Sequence, residues 1–133
     1  MGVALTKDSI DLGIVVSDPD ASLAFYRDLL GFESVGEIKI PGGTMYRLMC
    51  GTSLIKLVHL DTPPPAKAAP GGIPGGFGYR YWTMSVSNIE ELTQSCAAAG
   101  HRVAVPTREI RPGVHFAIVE DPEGNWVEFL QLD

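Results

Sequence analysis

The stretch His115–Leu132 reads HFAIVEDPEGNWVEFLQL. Two apolar runs flank Asp121-Pro122-Glu123-Gly124, whose chemistry is that of a turn: Asp first, Pro with φ already set, Gly closing. The segment therefore reads as a β-hairpin. Side chains alternate along a strand, so Trp126, Glu128 and Leu130 share one face of the return strand, and Val127, Phe129 and Gln131 the other. Both faces are largely apolar, which predicts a strand covered on both sides with Glu128 in a mostly dry place. An ionised carboxylate there needs a partner. A cation from the chain, a metal and a ligand all remain open.

Working outward, the rest of the chain parses into similar pieces. Ile10–Ser17 reads as a strand, with Leu12, Ile14 and Val16 on one face and Asp11, Gly13 and Val15 on the other. Asp18 caps a helix that has Pro19 in its first position. Apolar residues recur at helical spacing (Ala21, Phe25, Leu29 and Leu23, Tyr26, Leu30), and Gly31 ends the run. Strands follow at Phe32–Ile40, Thr44–Cys50 and Leu54–Leu60, with turns at Pro41-Gly42-Gly43 and Gly51-Thr52-Ser53. The segment 61–78, DTPPPAKAAPGGIPGGFG, cannot form a helix or an interior strand; it is a linker or a flap over a site, and linker is the safer reading. Tyr79–Ser87 is again a strand. Asn88, with Glu91 three residues on, has the pattern of a capping box. That helix stops at Gly100. Arg102–Val105 reads as a short strand and Pro106–Gly113 mainly as loop.

The 133 residues are one domain's worth, 45% hydrophobic and 20% charged, so a packed core is expected. The formal charge of −6 argues against nucleic acid and anionic membranes as partners and would suit a cationic ligand. Cys50 and Cys96 are far apart with no CxxC spacing, which reads as reduced, buried thiols in a cytoplasmic protein. No apolar run is long enough to span a membrane. No HExxH, GxSxG, P-loop or dinucleotide GxGxxG occurs in the context each needs. His59 and His115 fall on the parity of the helix-facing side, and His101 follows a helix-ending glycine, so all three read as surface or packing residues.

Strand, capped helix, glycine, then three strands occurs once before 61–78 and once after. Asp11 leads Asp18 by the same interval that separates Tyr81 from Asn88, and Leu54–Val58 matches Trp126–Leu130 in type and parity. The expectation is an α+β fold in a single domain, 1–133. It contains two βαβββ modules, 10–60 and 79–132, forming a cup-shaped mixed sheet around a cavity.

The motifs Ile14-Val15-Val16-Ser17-Asp18, Ala24–Phe32 (AFYRDLLGF) and Glu120–Asn125 (EDPEGN) with Val127-Glu128-Phe129 carry a resemblance. The chain resembles the vicinal oxygen chelate superfamily: glyoxalase I, extradiol dioxygenases, fosfomycin-resistance enzymes, methylmalonyl-CoA epimerase and bleomycin-resistance proteins. The resemblance runs from about Ile10 to Leu132. It implies the glyoxalase-like fold and a homodimer. Metal-dependent members carry two ligands per half, on the first and fourth strands. Transferred residue by residue, those positions are Asp11, Lys56, Tyr81 and Glu128. Only Glu128 keeps the usual ligand type, and an ammonium offers donors but no acceptor to a cation. The resemblance with this departure implies no metal and no other cofactor. A divalent ion held by Asp11 and Glu128, with Lys56 turned aside, is the disfavoured alternative.

Parity adds Thr83, Ser85, Phe116, Ile118 and Trp126 to the expected cavity face as substrate-binding groups. Arg47, or its neighbours Tyr46 and Leu48, would join from the third strand, whose register the sequence leaves open. Lys56 can stabilise an oxyanion or enolate. Glu128 or Asp11 can take a proton, and Tyr81 can give one. That suits an isomerase, epimerase or lyase acting next to a carbonyl of a small molecule. The alternatives are a salt-bridge cluster around Lys56 that holds the halves together, and a non-catalytic binding or resistance protein for a cationic, ring-bearing ligand.

Overall fold

The computed structural model describes residues 2–133. They divide into two compact units, the first up to Pro65 and the second from Ala66 to Asp133. Each unit is one four-stranded mixed sheet with a helix packed on one face.

In the first unit the elements are β1 (Leu12–Val15), α1 (Pro19–Leu23), β2 (Glu33–Ile40), β3 (Gly43–Cys50) and β4 (Ser53–Leu60). The sheet order is β1-β4-β3-β2. β1 lies parallel to β4, with Gly13 opposite Lys56, and β3 is antiparallel to β4, with Arg47 opposite Lys56. The α1 helix begins where the sequence says it should: the Asp18 carboxylate accepts from the Ala21 amide at 3.1 Å, and Pro19 occupies the first turn. It does not continue as a regular helix, however. Ala24–Leu29 is a π-helical turn, in which the Leu30 amide donates to the Phe25 carbonyl at 2.9 Å and the Phe32 amide to that of Tyr26 at 3.0 Å. The wider turn lets two consecutive aromatics point into the core. Phe25 and Tyr26 are both fully buried with their rings edge to face at 4.7 Å, and Tyr26 stacks on Phe32. Leu48, Ile55 and Leu57 form the sheet side of this core.

In the second unit the elements are β5 (Tyr81–Ser85), α2 (Ile89–Ala98), β6 (Val103–Arg111), β7 (Val114–Glu120) and β8 (Trp126–Leu132). The sheet order, β5-β8-β7-β6, repeats that of the first unit position for position, including the parallel β5–β8 pair. Ala117, Val119, Val127 and Phe129 are fully buried together with Cys96 of α2. The Cys96 thiol is pushed up to about 11 by that burial. The hairpin that joins β7 to β8 has the expected turn. Asp121 Oδ1 accepts from the amides of Glu123 and Asn125, both at 2.9 Å, and Gly124 adopts φ 86°.

Two expectations are corrected. Pro106–Gly113 is not mainly loop: it belongs largely to β6, an edge strand with register shifts on both sides of Arg108. An edge position tolerates Pro106 because the missing N–H need not face a neighbour. The Asn88 side chain makes no cap bond to the backbone of α2; it contacts Glu91 at 3.4 Å, and the Ile89 amide is met by Gln131 Oε1 from β8 at 2.9 Å. Segment 66–78 is fastened to the second unit. Arg80 donates from Nε to the Gly72 carbonyl and from Nη2 to the Ala69 carbonyl, both at 2.7 Å. Gly72, at φ 59°, lies so close to the Trp126 indole that any Cβ there would collide with the ring.

Candidate functional site

Each sheet has one face packed on its helix and one face without a helix. In β8 the helix-side residues Val127 and Phe129 are fully buried, while Trp126, Glu128 and Leu130 on the other face are half-buried. The strand is therefore not dry on both sides as its composition suggests. The register places a row of three side chains across this open face: Thr83 on β5, Glu128 on β8 and Ile118 on β7. The Thr83 hydroxyl donates to Glu128 Oε1 at 2.6 Å, a short bond to a charged acceptor that fixes the carboxylate. Among the described residues Glu128 has no salt bridge, so its other oxygen is available. Tyr81 and Trp126 form the row on one side, with Tyr81 half exposed, and Ser85, Leu130 and Phe116 the row on the other. The Arg108 guanidinium lies 5.2 Å above the Phe116 ring.

In the first unit the matching row is Gly13, Lys56 and Arg47. The register left open by the sequence is settled: Arg47 shares the face of Lys56, whereas Leu48 on the alternate parity is buried toward α1. Asp11 is at the end of this face, but its carboxylate is engaged. Oδ1 accepts from Lys7 Nζ at 2.6 Å and from the Leu54 amide at 3.1 Å. The Lys7 hydrogen bond, then the Leu54 amide, hold the carboxyl below its ordinary value of 3.8. The acid ties the segment before β1 to the start of β4.

Two further groupings were not legible in sequence. Segment 67–72, Arg80 and the β7–β8 turn enclose a cleft of about 240 Å³, whose polar groups include Lys67, Glu120 and Glu123. Glu120 Oε2 accepts there from Arg102 at 2.7 Å and from the Trp126 indole at 3.2 Å. At the far end of the same sheet His115 lies between Glu109 (3.4 Å) and Asp133 (3.5 Å). Reading 106–113 as loop hid the cross-strand pairing of Glu109 with His115.

The Glyoxalase/Bleomycin resistance protein/Dioxygenase superfamily model matches residues 9–129. The chain belongs to this superfamily. Solved structures agree on the fold. A protein named SMU.1112c is 27% identical, with a TM-score of 0.76 over 95% of this chain and 99% of that one. A glyoxalase-family protein from Bacillus cereus superposes with a TM-score of 0.83 at 16% identity, over 98% of this chain and 96% of that one. TioX from Micromonospora sp. ML1 gives 0.70 at 20% identity, over 96% and 100%. No curated protein matches the chain. The superfamily includes metal enzymes, so the four positions that the resemblance equates with their ligands bear on chemistry. In neither unit does the pair of residues at these positions fit a divalent cation. Asp11 is held by Lys7 and Leu54, Lys56 has only donors to offer, and Tyr81 is a phenol. Only Asp11 and Glu128 are carboxylates, and each has one oxygen engaged: Asp11 Oδ1 by Lys7 and the Leu54 amide, Glu128 Oε1 by Thr83. No helix among the described residues is long and apolar enough to cross a membrane.

Proposed function

We propose that this member of the superfamily is a small-molecule enzyme that moves a proton on carbon next to a carbonyl, with Glu128 as the proton acceptor and no metal in the reaction. The observation that carries the reading is the Thr83–Glu128 hydrogen bond at 2.6 Å. It orients a carboxylate that makes no salt bridge among the described residues, on a sheet face partly open to a ligand. A base must be aimed and must keep a free lone pair, and this one has both. Tyr81, on the same face one row away, is the candidate proton donor. Lys56, in the first unit, is by itself a candidate to stabilise an oxyanion. An isomerase, epimerase or lyase fits this chemistry equally well. The reading includes a cytoplasmic homodimer; the pairing is supported by the edge strands of both sheets and by exposed apolar groups of the first, such as Val15 and Ile38.

The test is α-proton exchange with deuterated solvent, followed by NMR for a panel of 2-oxo acids and β-dicarbonyl acids. The expected outcome is enzyme-dependent exchange that falls by about 10²–10⁴-fold in Glu128→Gln, the usual worth of a general base. Exchange that survives this substitution would overturn the assignment. A second reading has its own observation: the half-exposed Tyr81 is paired with Trp126 in the row next to Glu128, a setting that suits a cationic aromatic ligand. Saturable binding of such a ligand with no exchange of any substrate would favour a sequestering protein.

A further inference from the structure

The open face of the first unit contains a pair of cations with no salt-bridge partner among the described residues. Arg47 and Lys56 are direct partners on antiparallel strands, which puts their Cβ atoms about 4.5–5.5 Å apart on one face, where like charges repel. Among the described residues neither makes a salt bridge. Asp11, whose field reaches Lys56, is occupied by Lys7 and the Leu54 amide. In a chain of formal charge −6 this is a local excess of positive charge, and both side chains are half-buried, beside Met45, Met49 and Val58.

Arg47 is also held in place. Its Nη2 donates to the Val35 carbonyl at 2.9 Å, at an irregularity where the β2–β3 register shifts between Ser34 and Glu37. Gly36, in that irregularity, has φ 99° and lies against the guanidinium: a Cβ there would be 3.5 Å from Nη2. The buried Nε of Arg47 has no acceptor. A fixed guanidinium beside an ammonium, with no acid bonded to either among the described residues, is costly in the free protein, and a bound oxyanion relieves it. The same row of the second unit needs no such arrangement: it holds Thr83, Glu128 and Ile118.

We propose that Arg47 and Lys56 form an oxyanion subsite that takes the carboxylate or phosphoryl group of a small ligand with an apolar body. The ligand class deepens the small-molecule reading above and rests on it. Bidentate or paired charge-assisted hydrogen bonds give the affinity, and Met45, Met49 and Val58 receive the apolar part.

The test is an NMR titration at constant ionic strength with benzoate, phenyl phosphate and benzamide, following the amides of Gly13, Arg47, Lys56 and Val58. Saturable shifts with an anion and none with benzamide are expected. Benzoate binding more tightly assigns the carboxylate source, and phenyl phosphate the phosphoryl source. Lys56→Met and Arg47→Met should each weaken binding by about ten-fold or more, and Lys56→Arg should retain it. The melting temperature of ligand-free Lys56→Met should rise, since a repulsion is removed; a fall would show that Lys56 has an acid partner and overturn the proposal. Absence of saturable anion binding, or binding indifferent to Lys56→Met, would overturn it too. Anion binding without any proton exchange would leave the subsite standing and remove the proton-transfer reading, while exchange without anion binding would remove the subsite alone.

Discussion

The two units share a topology and differ where it matters for chemistry. Leu57 and Phe129 occupy the same place in their sheets, next to Lys56 and Glu128, and both are fully buried under a helix. One residue along, on the other face, the pair diverges into a cation beside a cation and an acid beside a hydroxyl. The helix-side rows are constrained by packing, which accepts any well-fitting apolar group. The open rows escape that constraint, so charge can be placed there for a ligand. The helices diverge as well. The first adds a π-helical turn to bury Phe25 and Tyr26 and is capped by its own Asp18, whereas α2 is regular and takes its cap from Gln131 on β8.

The largest effects should separate the two faces. Leu57→Ala is expected to cost about 2–5 kcal/mol and Phe129→Ala about 3–5 kcal/mol in urea unfolding, since each leaves a cavity. Lys56→Ala and Glu128→Ala should each stay within about 1 kcal/mol, as half-buried groups without salt bridges. If Glu128→Ala matched Phe129→Ala, the distinction between packed and open rows would be lost.

A smaller effect tests the caps. Asp18→Ala should destabilise by about 1 kcal/mol, and Asn88→Ala by clearly less, because the Asn88 side chain bonds no backbone amide of α2. Gln131→Ala should show the loss that Asn88→Ala does not. Equal costs at Asp18 and Asn88 would mean that the helices begin in the same way after all.

The smallest effect concerns the Lys7–Asp11 tie, which has no counterpart at Tyr81. A carboxyl whose value is lowered in the folded state gives its contribution fully above the ordinary value, 3.8, and loses it as pH falls through the lowered one. The Leu54 amide resonance should therefore hold its position from neutral pH to about 4 and move only below that. Asp11→Asn should abolish the acid-induced shift. A transition at the ordinary value would mean the tie is not formed in solution.

Much of this was legible beforehand. The Asp121-Pro122-Glu123-Gly124 turn, the Asp18 cap with Pro19, and the duplicated strand–helix–strand order all rest on local chemistry, and each is found as read. The matching of Lys56 with Glu128 followed from strand parity. The misses were non-local. Asn88 and Glu91 had the right spacing for a capping box, but Gln131, distant in sequence, supplies the acceptor. Pro106 signalled a loop because propensity does not know which strand lies at an edge. Asp11 looked available for chemistry until Lys7 and the Leu54 amide were found on it.

The amino-acid sequence by itself determined the two βαβββ units, their turns and caps, and which residues alternate onto which face, because periodicity and backbone conformation act within a few residues. Only the tertiary structure decided that Arg47 stands opposite Lys56, that Thr83 grips Glu128, and that Gly72 is laid against Trp126. Those facts depend on strand register and on the path of the chain between elements, which are fixed by packing between residues far apart in sequence.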